Sequence, residues 1–476
     1  MLRDRFLTFV GERHPFALPV AAEAAATVMK KDPVTPDAGE AMRGLLARQL
    51  RKAVSWPPHP EAAESTPGVT LETRLAQGVD ELVDACDGWL AREAIALSLT
   101  DAERIEMLRG MILTRAVDTR LKLFFASSEV RHEGTPFQGK GFRSLGQEAI
   151  YAAAIRLRRG PAWRGSDGQW RGDVVAPIIR DLGAALAMRP EPETVRMVLN
   201  AQMGKAGPPM DGRDLHIGAL AWGILPAAAP LAISSLTAAG LGLAFARTGA
   251  ERVAVSFIGE GGSSLGEWHE AINLCAARRL PVVFCLENNQ TALSTPLADQ
   301  TAVRVFADKA AGYGIPGLTI DGTDPEAIAA AFTWAAERAR FGAGPALIEL
   351  VSMRMCGHAH HDDMLYLGKD PQPSWEYPPL LESGYADRER YEFWRARDPI
   401  ATYAARLVHA GLIGPGDLDR FQREADAIVE AEARAVISAP WPDEATVTRG
   451  VLADDPVDRV SAAGHEAILR SERADR

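Results

Sequence analysis

Four short runs rich in β-branched residues, DVVAPII (173–179), VAVSFI (253–258), PVVFCL (281–286) and ALIEL (346–350), recur between helically spaced stretches from about 140 to 355. Strands joined by helix-length crossovers pair in parallel, and a parallel sheet needs helices on both faces. The pattern predicts an α/β domain with a parallel sheet flanked by helices. A capping box marks its start: Thr100 and Glu103 stand before Ile105, Leu108, Ile112 and Ala116 at helical spacing. The chain then divides into a helical N-terminal extension with loops (1–98), the α/β domain (99–370), and an extended segment with C-terminal helices suited to subunit contacts (371–476). Within the last part, the proline- and aromatic-rich 371–394 is expected to lie extended over a surface, and two helices follow Pro399, the second starting near Pro415.

Composition excludes several classes of partner. Acids outnumber bases 63 to 52, for a net charge of −11, which argues against nucleic acid. Cys86, Cys275, Cys285 and Cys356 are widely spaced with no CxxC pair, so they read as thiols of a reducing compartment. The N-terminal apolar run is too short and too interrupted by charge for a signal peptide, and the expected location is cytoplasmic. Residues 217–246 carry no charge and are long enough to span a bilayer, but Pro226, Pro230 and the Ser234-Ser235 pair interrupt them. They read as a buried loop feeding a small-residue helix, with no membrane contact.

VAVSFI runs directly into GEGGSSLGEW. Ligands of open parallel sheets bind beyond the carboxyl ends of the strands, which is where Glu260 falls. Gly259, Gly261 and Gly262 allow close backbone approach, and a helix starting near Leu265 offers amides to an anion. A carboxylate facing a phosphate repels it unless a cation stands between them, so Glu260 is a candidate magnesium ligand. Asn289 follows 29 residues later (289 − 260), the span of a helix plus a parallel return strand. Its amide oxygen and the carbonyl of Thr291 complete the protein's share. The competing reading of Asn288-Asn289 is an ordinary strand-end turn.

GEG followed at this spacing by NN resembles the thiamine diphosphate-binding motif, usually written with Asp in the place of Glu260. FRSLGQEAIYAAA (142–154), DVVAPIIRDLG (173–183), ENNQTALSTP (287–296), YGIPGLTIDGTD (313–324) and CGHAHHDD (356–363) resemble the alpha subunit of 2-oxo acid dehydrogenase complexes, over about residues 100 to 437. The resemblance implies the thiamine diphosphate-binding fold, with Mg2+ held by Glu260, Asn289 and Thr291. It places the cofactor's diphosphate on the amides of Gly261 and Gly262 and on Arg180, with Leu231 as the apolar wedge beneath the bent cofactor. His358 matches a histidine of a mobile active-site loop that touches the diphosphate and assists acyl transfer. The implied reaction is oxidative decarboxylation of a 2-oxo acid, branched-chain or pyruvate, with acyl transfer to the lipoyl group of an acyltransferase. The implied partner is a beta subunit in an alpha-2-beta-2 heterotetramer, which contributes the glutamate that activates the cofactor.

The chain departs from that family in places. Ile179 stands at the cofactor-binding position where relatives have a tyrosine, and Ala228-Ala229 replace a serine pair, removing a hydroxyl and a monovalent-ion site. Ala359 and His361 occupy the places of the serines of regulated relatives. Ile179 and Ala229 keep open a non-catalytic scaffold or regulatory subunit, and an acetoin dehydrogenase alpha subunit is a further alternative. A dinucleotide oxidoreductase fits less well, because GEGGSS lacks GxGxxG spacing and leaves Asn289 unexplained. His360, His361, Asp362 and Asp363 suggest a transition-metal cluster, but consecutive ligands on one loop converge only on a fixed scaffold.

Overall fold

The structure is a computed structural model that describes residues 2–33, 35–54, 66–139 and 141–446. Among the described residues the N-terminal extension has four α-helices, α1 (Leu2–Arg13), α2 (Leu18–Val28), α3 (Pro36–Ala53) and α4 (Leu71–Leu97). Phe6, Val10, Ala24, Leu46, Leu50 and Trp89 close a small apolar core of their own. Thr100 then caps α5 (Asp101–Ser127) through the expected box with Glu103, an arrangement worth about 1 kcal/mol. Leu108, Ile112 and Ala116 of α5 are buried in the main core.

Five strands form the central sheet: β1 (Val174–Ala176), β2 (Ala254–Gly259), β3 (Val282–Asn288), β4 (Gly317–Asp321) and β5 (Ala346–Val351). Their order is β1-β2-β3-β5-β4 and every pairing is parallel. Strand β4 was not foreseen, because GLTID is short and bounded by glycine and proline. The other four fall where the apolar runs predicted, although β1 is only three residues long.

Helices α6 (Leu182–Met188) and α7 (Pro192–Gln202) follow β1, and the uncharged stretch becomes a loop feeding α8 (Ile233–Thr248). No helix among the described residues is long and apolar enough to cross a membrane. Helices α9 (Gly266–Arg278) and α10 (Pro325–Arg340) lie on opposite faces of the sheet. The side follows from the register. Ser256 pairs with Phe284, and Phe257, one residue on, points to the other face. Phe284 meets Trp268 of α9 edge-on at 5.3 Å and Ser256 Oγ lies 2.9 Å from Ser235 Oγ of α8, whereas Phe257 stacks on Phe332 of α10 at 5.9 Å. Each such ring, once buried, contributes about 1.5–3 kcal/mol.

Helix α4 joins the extension to this core, its Gly88 close against Trp334 of α10 and Arg92 lying over the same indole at 5.3 Å. Beyond the sheet come the one-turn α11 (Asp363–Tyr366), then α12 (Arg388–Arg395), α13 (Pro399–His409) and α14 (Asp417–Ser438). The extended reading of 371–394 therefore needs correction at its end, where Asp387 caps α12 by accepting from Arg390 N–H. Residues 447–476 of the expected C-terminal part lie outside the described residues.

Candidate functional site

Register builds the first half of the site. Gly259 pairs with Glu287, so β2 and β3 end together, and Glu260 N–H donates to Glu287 O at 3.2 Å. Glu260 and Asn289 thus emerge side by side, 1% and 0% exposed. One end of the Asn289 amide lies 3.0 Å from the Thr291 carbonyl oxygen and 3.3 Å from Glu260 Oε1. The other end lies 3.0 Å from Gln147 Oε1. With its nitrogen on Gln147, Asn289 turns its oxygen to two further oxygens with no proton between them. Adjacent ligands of an octahedral Mg2+ with bonds of about 2.0–2.1 Å sit about 2.9 Å apart, and the two contacts of the Asn289 oxygen, 3.0 and 3.3 Å, come near that spacing. Burial raises the carboxyl pKa of Glu260, and Arg180 nearby opposes that rise.

The glycines form a cradle beside these oxygens. A Cβ on Gly259 would stand 2.7 Å from Arg180 Nη2, one on Gly261 would run into Cβ of Ala292, and one on Gly262 would lie 2.9 Å from Ile258 Cγ1. Gly261 has φ −63°, so space rather than backbone conformation requires glycine there. Arg180 is buried, its Nε has no hydrogen-bond partner, and it makes no ion pair among the described residues. Its backbone is fixed by Ser144 Oγ, which donates to Arg180 O at 2.6 Å. A buried guanidinium that makes no ion pair, set over a glycine cradle, fits an anion. Leu231, 52% exposed, projects 3.7 Å from the position of a Gly262 Cβ, as an apolar surface awaiting cover. Ile179 is half-buried beside Arg180 and brings no polar atom, and Ala229 is exposed.

The second half is the loop bearing His358. Its ring meets Phe142 edge-on at 4.9 Å, and its Nδ1 lies 3.4 Å from Arg354 Nη1. Burial first, then the charges of Arg180, Arg354 and His361, push its pKa down to about 3, which keeps the ring neutral. The loop is pinned from below. Asp363 accepts from Gly357 N–H at 2.7 Å and pairs with Lys122 at 2.9 Å and Arg143 at 3.0 Å. Arg143 pairs in turn with Asp118 at 2.9 Å, and Lys122 donates to His360 O at 2.7 Å.

The four residues that suggested a metal cluster diverge. His360 is buried beside Phe125, the His361 side chain is 72% exposed, and Asp363 is taken up in the ion network. No group of three or more His, Cys, Asp or Glu side chains converges anywhere among the described residues. Sequence reasoning missed Gln147, which orients Asn289, and Arg354, four residues before His358. It also missed the buried Asp181–Glu287 pair behind Arg180. Burial pushes the Asp181 carboxyl up to about 6 and, with Asp181 beside it, raises that of Glu287 well above its ordinary value. GQEA and the segment before GHAHHDD were the available signals for the first two.

Comparison with known proteins gives the family. Residues 168–376 match the family described as Dehydrogenase E1 component. The 2-oxoisovalerate dehydrogenase subunit alpha of Bacillus subtilis (strain 168) is 33% identical over 350 residues, covering 73% of this chain and 94% of the relative. A Staphylococcus aureus pyruvate dehydrogenase E1 component subunit alpha is 28% identical over 370 residues, 77% and 87% of the two chains. The alpha subunit of an acetoin:2,6-dichlorophenolindophenol oxidoreductase of Cupriavidus necator is 32% identical over 273 residues, 57% and 76%. A match of this extent to a whole relative, on a chain with the expected sheet, shows that the protein belongs to the dehydrogenase E1 component family, among its 2-oxo acid dehydrogenase alpha subunits.

Proposed function

We propose that this chain holds thiamine diphosphate through a bound Mg2+ and contributes one half of the active site of a branched-chain 2-oxo acid dehydrogenase, completed by a beta subunit in an alpha-2-beta-2 assembly. The observation that carries the reading is the three-oxygen cluster of Glu260, Asn289 and Thr291 beside the unpaired Arg180. One carboxylate leaves a divalent cation with positive charge to spare, which suits a ligand that brings its own phosphates.

When bound, thiamine diphosphate supplies a carbon nucleophile and an electron sink for decarboxylation. The chain's own residues bind and orient. Arg180 neutralises phosphate charge, the amides of Gly261 and Gly262 approach it without side-chain obstruction, and Leu231 keeps the cofactor's apolar face from water. His358, neutral at physiological pH and with Nδ1 turned to Arg354, presents Nε2 for proton transfer during acyl transfer to the lipoyl group of the acyltransferase. The segment after residue 371 is assigned to subunit contacts.

The choice of a branched-chain substrate rests on the near full-length match to the Bacillus subtilis relative. The test is co-expression with a beta subunit and comparison of 3-methyl-2-oxobutanoate with pyruvate, using an artificial electron acceptor. The branched acid is expected to give the higher kcat/KM, with no turnover lacking Mg2+. A second reading, acetoin cleavage, follows from the Cupriavidus necator relative and is tested by adding acetoin as a third substrate.

A further inference from the structure

Asn289 and Gln147 are buried against one another, with one end of the Asn289 amide 3.0 Å from Gln147 Oε1. Two arrangements of the pair fit the same atom positions. In the first, nitrogen stands at that end of Asn289. Its oxygen then faces the Thr291 carbonyl at 3.0 Å and Glu260 Oε1 at 3.3 Å with no proton to share, and Gln147 Nε2 is buried without an acceptor. In the second, both amides are turned over. The Asn289 nitrogen donates to Thr291 O and Glu260 Oε1, and its oxygen accepts from the Gln147 nitrogen that had no partner. A buried N–H left without an acceptor is costly, so the second arrangement wins while no cation is bound. A cation among the three oxygens reverses the preference, because only the first arrangement turns the Asn289 oxygen toward it.

The main chain around the pair is held, which leaves the amides as the parts that turn. Gln147 N–H donates to Ser144 O at 3.0 Å, and Arg354 N–H donates to Asn289 O at 3.3 Å. Glu148 accepts from Gly146 N–H at 3.2 Å and pairs with Arg115 at 2.8 Å. We infer that Asn289 and Gln147 form a paired amide switch, closed by their own hydrogen bonds without a cation and turned over together when Mg2+ binds. The inference rests on the reading of Glu260, Asn289 and Thr291 as the Mg2+ site. Glutamine at 147 serves both arrangements because it can give or take a hydrogen bond. An ionised glutamate of the same shape can only accept, and so favours the first. Methionine favours neither.

The experiment uses the assembled alpha–beta complex. Neutron diffraction from deuterium-exchanged crystals, grown with and without Mg2+ and thiamine diphosphate, distinguishes amide nitrogen from oxygen. The Asn289 nitrogen should face Glu260 and Thr291 without Mg2+ and Gln147 with it. An Asn289 amide that points the same way in both crystals overturns the inference. Calorimetric titration of Mg2+ in the presence of thiamine diphosphate gives the second readout. Gln147→Glu should bind Mg2+ about tenfold more tightly, and Gln147→Met should stay within about threefold of the native complex. A tenfold loss in Gln147→Met marks a glutamine fixed in one orientation and overturns the switch, as does a Gln147→Glu complex that binds no tighter. Should the variants fail to assemble, the two native crystals carry the test. Native complex that gives no Mg2+-dependent heat overturns the Mg2+ site itself.

Discussion

The two halves of the site are held by different means. The Glu260 and Asn289 turns are fixed by main-chain register, since β2 and β3 pair residue by residue until Gly259 meets Glu287. The His358 loop lies past the last sheet strand, with one antiparallel bridge, Phe142 to Ala359, beside it. Beyond that bridge it is held by side chains, from far along the chain by Asp118 and Lys122 on α5 and Arg143 after it, and from close by through Arg354 just past β5. Register needs no particular side chain, so the first half tolerates substitution in its surroundings and depends on its own ligands. The second half reverses this dependence. Its chemistry sits on one imidazole, but its geometry depends on several buried charges.

The sharpest way to test that contrast is to remove a ligand from the register-held half. Glu260→Ala should weaken Mg2+-dependent thiamine diphosphate binding at least about a hundredfold by calorimetry on the alpha–beta complex. Its fold should be unharmed. Burial raises the Glu260 pKa, so the ionised carboxylate is a burden until a cation arrives, and the cofactor-free variant should melt no lower than the native chain. Equal losses in binding and in melting temperature would mean that Glu260 is structural.

In the other half, the loss should appear in rate and not in binding. Lys122→Met removes one of the two cations on Asp363 but leaves Arg143 in place. A loosened loop misplaces His358, and kcat should fall about ten- to a hundredfold. Cofactor affinity should stay within about threefold, since no Lys122 contact reaches Glu260, Asn289 or Thr291. A variant that loses cofactor and rate together would show that the two halves are not separately held.

The same contrast explains what could be read from the sequence. Strand, turn and helix lie within a few residues of one another around Glu260, so composition and spacing carried both its place and its partner Asn289. The capping box at Thr100 was legible for the same reason. Asp363 was equally visible but was open to being a metal ligand, because nothing local says that Lys122 and Arg143, 241 and 220 residues away (363 − 122 and 363 − 143), will claim it. Arg354 stands in the segment before GHAHHDD, but three of its partners are carbonyls, which have no sequence signature. Strand β4 was missed because Gly317, packed against Ala307 O, removes the apolar side chain that would have extended the run.

Gly261 tests the cradle itself. A methyl group there would collide with Ala292, and the turn must shift to accept it. Gly261→Ala is expected to reduce thiamine diphosphate affinity about tenfold, as a backbone displacement of the amide that faces the diphosphate. Gly261→Ala paired with Ala292→Gly should recover most of that loss, because the obstruction is one named atom. Failure of the pair to recover would put the damage elsewhere than in the cradle.

The smallest effect is expected behind Arg180, where the buried carboxyls of Asp181 and Glu287 meet in a hydrogen bond. No N–H or hydroxyl donor reaches Asp181 Oδ1 or Glu287 Oε1, so a proton shared between the two carboxyls is what joins them, while Asp181 Oδ2 accepts from Ile178 N–H at 2.7 Å. Burial raises the Asp181 pKa to about 6 from its ordinary 3.8. A carboxyl whose pKa is higher in the folded state favours folding only while protonated, and that contribution is lost as pH rises from about 4 through 6. At neutral pH the pair therefore opposes folding. Asp181→Asn keeps the acceptor for Ile178 and removes the charge, so it should stabilise the chain by on the order of 1 kcal/mol at pH 7.5, with the gain shrinking toward pH 4. Thermal melts of native and variant complexes across that range measure the difference directly. A gain independent of pH would mean that packing, and not the shared proton of the pair, sets the stability there.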